Sequence, residues 1–287
     1  MFRCLEAAGK ILSELARGDS QDVSARDGFL RFLETAAAPR KYISTGLPRL
    51  DRAMKLSPGD YLVVGGRPSA GKTALTLQFL LHMAKQYRCV YYSLETRADK
   101  LFDRILAAWA GIPLEQIKNG DAACLEQVRG RLEEFARLQL TVTQAAGWSV
   151  PRISAHAARL RAQVIFIDYL SLVRAEGGSL YERVSAISRE LREVAQSRGI
   201  LVTALSQLNR QGAAEPGLAY LRESGQGEQD ADCVLLLHGG PDADPNHRQL
   251  ILAKNKEGLT GRIPLRFRGE FQRFEEITVS TGKGDVS

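Results

Sequence analysis

The sequence predicts an α/β protein with a mostly parallel sheet, helices on both faces and a hairpin at its C-terminal edge, on three observations. From about Tyr42 onward, short apolar runs of strand length alternate with helical segments. The stretch GGRPSAGKTALTLQF (65–79) reads Gly66, four residues, then Gly71, Lys72 and Thr73, the spacing of a phosphate-binding loop. It lies between a strand-like DYLVV (60–64) and a helix-like TALTLQFLLHMAK (73–85). Several of the strand runs end in a polar residue, and open α/β sheets bind ligands beyond the carboxyl ends of their strands.

The elements follow in order. MFRCLEAAGKILSELARG places Phe2, Leu5, Ile11, Leu12 and Leu15 on one helical face and stops at Gly18. A polar stretch (19–28) precedes FLRFLETAAA (29–38), a second short helix ended by Pro39. Residues 1–40 thus read as a short helical arm or linker, too small for a core of its own. The strand runs are YLVV (61–64), CVYYSL (89–94), LTVTQ (140–144), VIFID (164–168), ILVTALS (200–206), CVLLLH (233–238) and LILAK (250–254). GRIPLRFRGEFQRFEE (261–276) alternates around a turn at Arg268–Gly269, which predicts the hairpin. Residues 41–276 form the main domain in this reading, and 277–287 a flexible tail.

The loop residues Gly66, Arg67, Pro68, Ser69, Ala70, Gly71, Lys72 and Thr73 are the expected phosphate cradle. Glycines let backbone N–H groups converge on an anion, Lys72 adds a point charge, and the Thr73 hydroxyl can ligate magnesium. Hydrolysis of a bound triphosphate also needs a held metal, an aligned water and neutralised charge. Asp168 closes an apolar strand, an expensive place for a carboxylate unless it serves a metal, so Thr73 and Asp168 are the expected metal ligands. Glu95 follows the next strand after the loop helix and suits a general base, although a helix N-cap partner has the same composition. Gln207 ends ILVTALSQ and is long enough to meet a γ-phosphate; a plain loop residue is the alternative.

Composition narrows the class further. Lys and Arg total 39 against 33 Asp and Glu, a formal charge of +6 that is compatible with a polyanionic partner without requiring one. The four cysteines, Cys4, Cys89, Cys124 and Cys233, stand far apart, and His82, His156, His238 and His247 have no metal spacing. No signal-peptide pattern opens the chain, and no apolar run approaches the ~20 residues of a membrane helix, so the expected location is the cytoplasm.

Seven blocks carry a resemblance. KYISTGLPRLD, GRPSAGKTALTLQF, SLET, IFIDYLSLV, ISRELREVAQSRGILVTALSQLNRQ, LRESGQGEQDAD and AKNKEGLTGRIPLRFRGEFQRFEE, in this order, resemble the C-terminal motor domain of DnaB-type replicative DNA helicases. The resemblance runs from Lys41 to Glu276. It implies a RecA-like ATPase that uses ATP and Mg2+, assembles as a homo-oligomeric ring, usually of six subunits, and threads single-stranded DNA from a fork in a 5′ to 3′ sense. A helicase loader is among the partners it brings into view. Position by position it implies Lys72 and Thr73 as phosphate and magnesium residues, Glu95 as base, Asp168 as Walker B acid and Gln207 as γ-phosphate sensor. It further implies Arg210, Arg222, Glu223 and Gly225 as DNA contacts, with Lys254 and Lys256 reaching the nucleotide of the next subunit.

Two departures from the family pattern stand out. Lys256 occupies the place of an arginine, which keeps the charge but loses the planar fork that spans two phosphate oxygens, so Arg262 or Arg266 are alternative donors. Only about forty residues precede the motor, against the family's large N-terminal collar, so the Phe2–Leu15 helix is the counterpart of a linker helix or else packs on its own domain. Two rival readings are an ATP-gated DNA-binding or regulatory protein like the RadA or KaiC relatives, and a non-unwinding helicase partner. A GTPase is excluded: NKEG (255–258) has Gly258 where the guanine-pairing Asp is needed.

Overall fold

The computed structural model describes residues 23–36, 42–207, 227–239, 244–256 and 258–277. The chain divides into two compact units, 1–41 and 42–287. In the first, α1 spans Ala25–Ala36, so the helix starts earlier than the predicted 29–38. The cause is Ser24, whose hydroxyl accepts the Asp27 N–H at 3.1 Å and donates to the Asp27 carboxylate at 2.7 Å. That N-cap lies inside the stretch read as polar linker. The predicted Phe2–Leu15 helix lies outside the described residues.

The second unit carries α2 (Pro48–Ala53), β1 (Tyr61–Gly66), α3 (Lys72–Met83), β2 (Cys89–Ser93), α4 (Ala98–Ala110), α5 (Leu114–Asn119), α6 (Ala122–Gly130) and α7 (Leu132–Ala136). There follow β3 (Leu140–Gln144), α8 (Val150–Arg159), β4 (Val164–Asp168), α9 (Leu180–Arg198), β5 (Leu201–Gln207), α10 (Gly227–Asp230), β6 (Cys233–Gly239), β7 (His247–Asn255), β8 (Gly261–Arg268) and β9 (Arg273–Glu276). The described strands form one sheet in the order β3-β2-β4-β5-β1-β6-β7-β8-β9. The run from β3 to β6 is parallel, and β7 to β9 are antiparallel.

Burial explains the near-continuous apolar strands. Leu62 and Val64 point to one face, where α3 and α4 bring Leu75, Phe79, Leu101 and Ile105. Tyr61 and Val63 point to the other, against Ile153 of α8 and Ile187 and Leu191 of α9. A strand covered on both sides has no solvent face on which to place polar residues. Helix α3 is accordingly apolar nearly all round. Helix α9 is delimited by a Ser179–Glu182 capping box and by Gly199 at φ 61°.

The predicted hairpin forms, with Phe267 opposite Phe274 and their rings stacked at 4.6 Å. Beyond it, Glu276 accepts the N–H groups of Arg49 (2.8 Å) and Leu50 (3.2 Å) at the start of α2. The STGLPRLD block has a structural use as well. The Asp51 carboxylate collects the hydroxyls of Ser44 (2.6 Å) and Thr45 (2.7 Å) and the Thr45 N–H (2.8 Å), while Ser44 Oγ lies 2.9 Å from His82 Nε2 on α3. This ties the entry of the domain to the helix behind the phosphate loop.

Candidate nucleotide site

Register places the candidate residues along one edge. Gly66 at the end of β1 pairs with Gln207 at the end of β5. Asp168 at the end of β4 pairs with Ser93 at the end of β2, and Glu95 comes two residues after Ser93. In the sheet β4 and β5 lie between β2 and β1, so the carboxyl ends of four adjacent strands open onto one place. A cleft of about 950 Å³ lies there, lined by Pro68, Ser69, Gly71, Lys72, Thr73, Glu95, Asp168 and Gln207 among others.

The loop curls because two positions admit no side chain. A Cβ on Gly66 would lie 2.8 Å from the Leu237 carbonyl oxygen, and Gly71 sits at φ 103° with its Cβ direction 2.8 Å from Phe274 Cζ. At Gly71 only glycine satisfies both a left-handed dihedral and that contact. Lys72 Nζ donates to the carbonyls of Gly66 (2.8 Å) and Arg67 (3.0 Å), which holds the ammonium over the loop. Burial pulls its pKa down, against the opposing charge of Asp168. Of the eight loop candidates, Gly66, Arg67 and Ala70 do not line the cleft. Their carbonyls serve instead as acceptors, Ala70 O receiving Arg248 Nε at 3.3 Å.

Asp168 is 7% exposed. Its Oδ2 accepts the Tyr91 hydroxyl at 2.7 Å and the Thr73 hydroxyl at 3.0 Å. Burial pushes its pKa up, and the charge of Glu95 adds to that; the two hydroxyls and Lys72 pull the other way. Tyr91, fully buried, has its own pKa raised far above the ordinary value by burial and so stays a neutral donor. A buried carboxylate touching a threonine hydroxyl at the mouth of a polar cleft is an oxygen donor set that suits a small hard cation such as Mg2+. Thr73 and Asp168 are the residues that would hold it. No group of three or more His, Cys, Asp or Glu side chains forms a metal site among the described residues.

The structure also adds residues that sequence reading passed over. Arg97, Lys100 and Arg104 line the same cleft from the start of α4 and along it, joined by Tyr169 and by Phe267 and Gln272 of the hairpin. Their spacing of three and four residues, one face of a helix beginning just after Glu95, was the available signal. Arg248 braces the loop from β7, a contact no local pattern announces.

Other candidates do not join the cleft within one chain. Lys254 donates to the Gln229 carbonyl at 2.9 Å, and Lys256 pairs with Asp60. Both lie near the amino-terminal ends of β1 and β6, the opposite edge from the phosphate loop, since Cys233 at the start of β6 pairs with Asn255. Arg210, Arg222, Glu223 and Gly225 lie outside the described residues.

With this geometry in place, comparison with known proteins is decisive. The model of the family described as "DnaB-like helicase C terminal domain" matches residues 42–276. The chain belongs to that family. Among curated DnaB-family relatives, the replicative DNA helicase DnaB of Treponema pallidum is 34% identical over 245 residues, covering 81% of this chain and 55% of that protein. The replicative DNA helicase DnaC of Bacillus subtilis is 32% identical over 258 residues, covering 82% and 56%. The chain thus spans about half the length of these relatives. Among solved structures, one ATPase domain superposes with a TM-score of 0.82 at 27% identity, covering 90% of this chain and 100% of that one. A DnaB-like replicative helicase whose structure was solved with its interactions with primase gives 0.79 at 27%, covering 93% and 70%. The fold is that of a DnaB-type, RecA-like ATPase domain. No described helix is long and apolar enough to cross a membrane.

Proposed function

We infer that this chain is the motor of a DnaB-type replicative DNA helicase: an ATP hydrolase that assembles as a ring, holds one DNA strand, and turns nucleotide cleavage into unwinding. The observation that carries the reading is the meeting of Lys72, Thr73, Glu95, Asp168 and Gln207 at one edge of the sheet. Lys72 and the loop amides bind the β- and γ-phosphates. Bound Mg2+ supplies charge neutralisation on those phosphates. Glu95, exposed at the cleft, orients and deprotonates the attacking water, and Gln207 senses the γ-phosphate at the end of β5. Because residues 208–226, which include Arg210, Arg222, Glu223 and Gly225, follow Gln207 in the sequence, a change at Gln207 has a covalent route to the proposed DNA contacts. An arginine and backbone amides suit a phosphate backbone without reading bases, as translocation requires.

Lys254 and Lys256, at the edge away from their own loop, serve in this reading as groups for the nucleotide of an adjacent copy in a ring. The test is strand displacement on a forked duplex with ATP and Mg2+, with Lys72→Ala as control. ATP-dependent displacement lost in the variant supports the motor. ATP-stimulated DNA binding without displacement replaces it with the regulatory or non-unwinding reading.

A further inference from the structure

Lys256 follows β7 directly, and its N–H donates to the Asp232 carbonyl at 3.0 Å. Its ammonium lies 2.5 Å from Asp60 Oδ1. Asp60 is the residue before β1; its side chain is 6% exposed and that of Lys256 29%. The second Asp60 oxygen accepts the Ser57 N–H at 2.7 Å, so the carboxylate is anchored in its turn. Beside them Arg192 lies 3.3 Å from Asp232, whose other oxygen accepts the Tyr61 N–H at 2.9 Å. Two carboxylates and two cations thus meet where β1 and β6 begin.

We propose that Asp60 is a positioning residue that keeps Lys256 on its own protomer and yields it to the nucleotide of an adjacent copy, so that breaking this pair gates the contribution of Lys256 to hydrolysis. The inference rests on the reading of Lys256 as a trans-acting group. Lysine is a point charge on a flexible stem and can exchange one anion for another without the two-point geometry an arginine would have to rebuild. A triphosphate offers more negative charge than one carboxylate, which makes the exchange favourable only when a loaded neighbour is present. The arginine-to-lysine departure and the Asp60 contact then form one device.

The experiment measures ATP turnover of the assembled full chain, without DNA, in Lys256→Ala, Asp60→Asn and the double variant. Asparagine keeps an acceptor for Ser57 while removing the charge that holds the lysine. Asp60→Asn is expected to raise turnover about fivefold, the factor for freeing a partly exposed ion pair, and the double variant to fall to the level of Lys256→Ala. Unchanged turnover in Lys256→Ala overturns the trans reading itself. Depressed turnover in Lys256→Ala with no rise in Asp60→Asn, or a rise that survives in the double variant, overturns only the gate. A measurement on the unaltered protein covers the case of a misfolded variant: carbodiimide labelling of Asp60, read by peptide mass spectrometry, is expected to increase when the assembled form takes up a non-hydrolysable ATP analogue. Labelling that stays constant overturns the gate.

Discussion

Gly71→Ala isolates the backbone of the phosphate loop from its charges. At φ 103° an L-residue pays for a left-handed dihedral, about 1–2 kcal/mol. The added Cβ also meets Phe274 Cζ at 2.8 Å, with Leu237 Cδ2 at 3.7 Å behind it. The ring cannot simply recede. Phe274 is 2% exposed and stacked on Phe267, and its backbone is tied to Gln78 of α3 through an N–H donated at 2.7 Å and a carbonyl accepting at 3.0 Å. Overpacking of that kind costs about 1–3 kcal/mol. The two terms sum to about 2–5 kcal/mol, a large share of the roughly 5–15 kcal/mol typical of a folded domain. Urea unfolding followed by tryptophan fluorescence should show that loss, and a fluorescent ATP analogue should bind more weakly as the loop opens. Because the dihedral and contact terms are separable, Phe274→Leu combined with Gly71→Ala should show a coupling of about 1 kcal/mol or more. A loss below about 1 kcal/mol, or strict additivity in that cycle, would refute the account of the loop as held by Phe274.

Three further outcomes follow from the site. Burial makes the folded chain hold the Asp168 proton more tightly than the unfolded chain does, so its ionisation destabilises the apoprotein once pH has risen above the ordinary carboxylate value of 3.8 and through the raised folded one. Asp168→Asn should therefore be more stable than the wild type at about pH 7, with the difference shrinking toward about pH 4, while ATP hydrolysis is lost; a variant less stable at neutral pH in urea titrations contradicts this. Arg104→Ala should raise the KM for ATP about tenfold, as loss of a charge-assisted phosphate contact does, with partial recovery in Arg104→Lys; an unaltered KM in steady-state assays removes Arg104 from the substrate. Burial pushes the thiols of Cys89 and Cys233 up to about 12 and about 11, so neither should be alkylated by iodoacetamide at about pH 8 until urea is added. Peptide mass spectrometry reads this directly, and native labelling of either residue would contradict it.

The strands and the loop were legible because their signals are local. A continuous apolar run such as VIFID announces burial on both faces, and Gly66 to Thr73 announces a curl by spacing alone. The start of α1 was missed because Ser24 caps it from within residues whose composition reads as linker. Glu95, Asp168 and Gln207 could be named as strand-end residues, yet nothing in their spacing says that β4 and β5 lie between β2 and β1.

By itself, then, the sequence determined the alternation of strands and helices, the phosphate loop and the polar ends of the strands, since these depend on dihedral preferences and on periodicities of a few residues. Only the tertiary structure decided which ends meet. The order of the sheet brings Thr73 to Asp168, 95 positions apart, and sets Lys256 against Asp60, 196 positions apart. Such pairs are chosen by the register of strands buried on both faces, where a slip of one residue would turn every side chain to the wrong side.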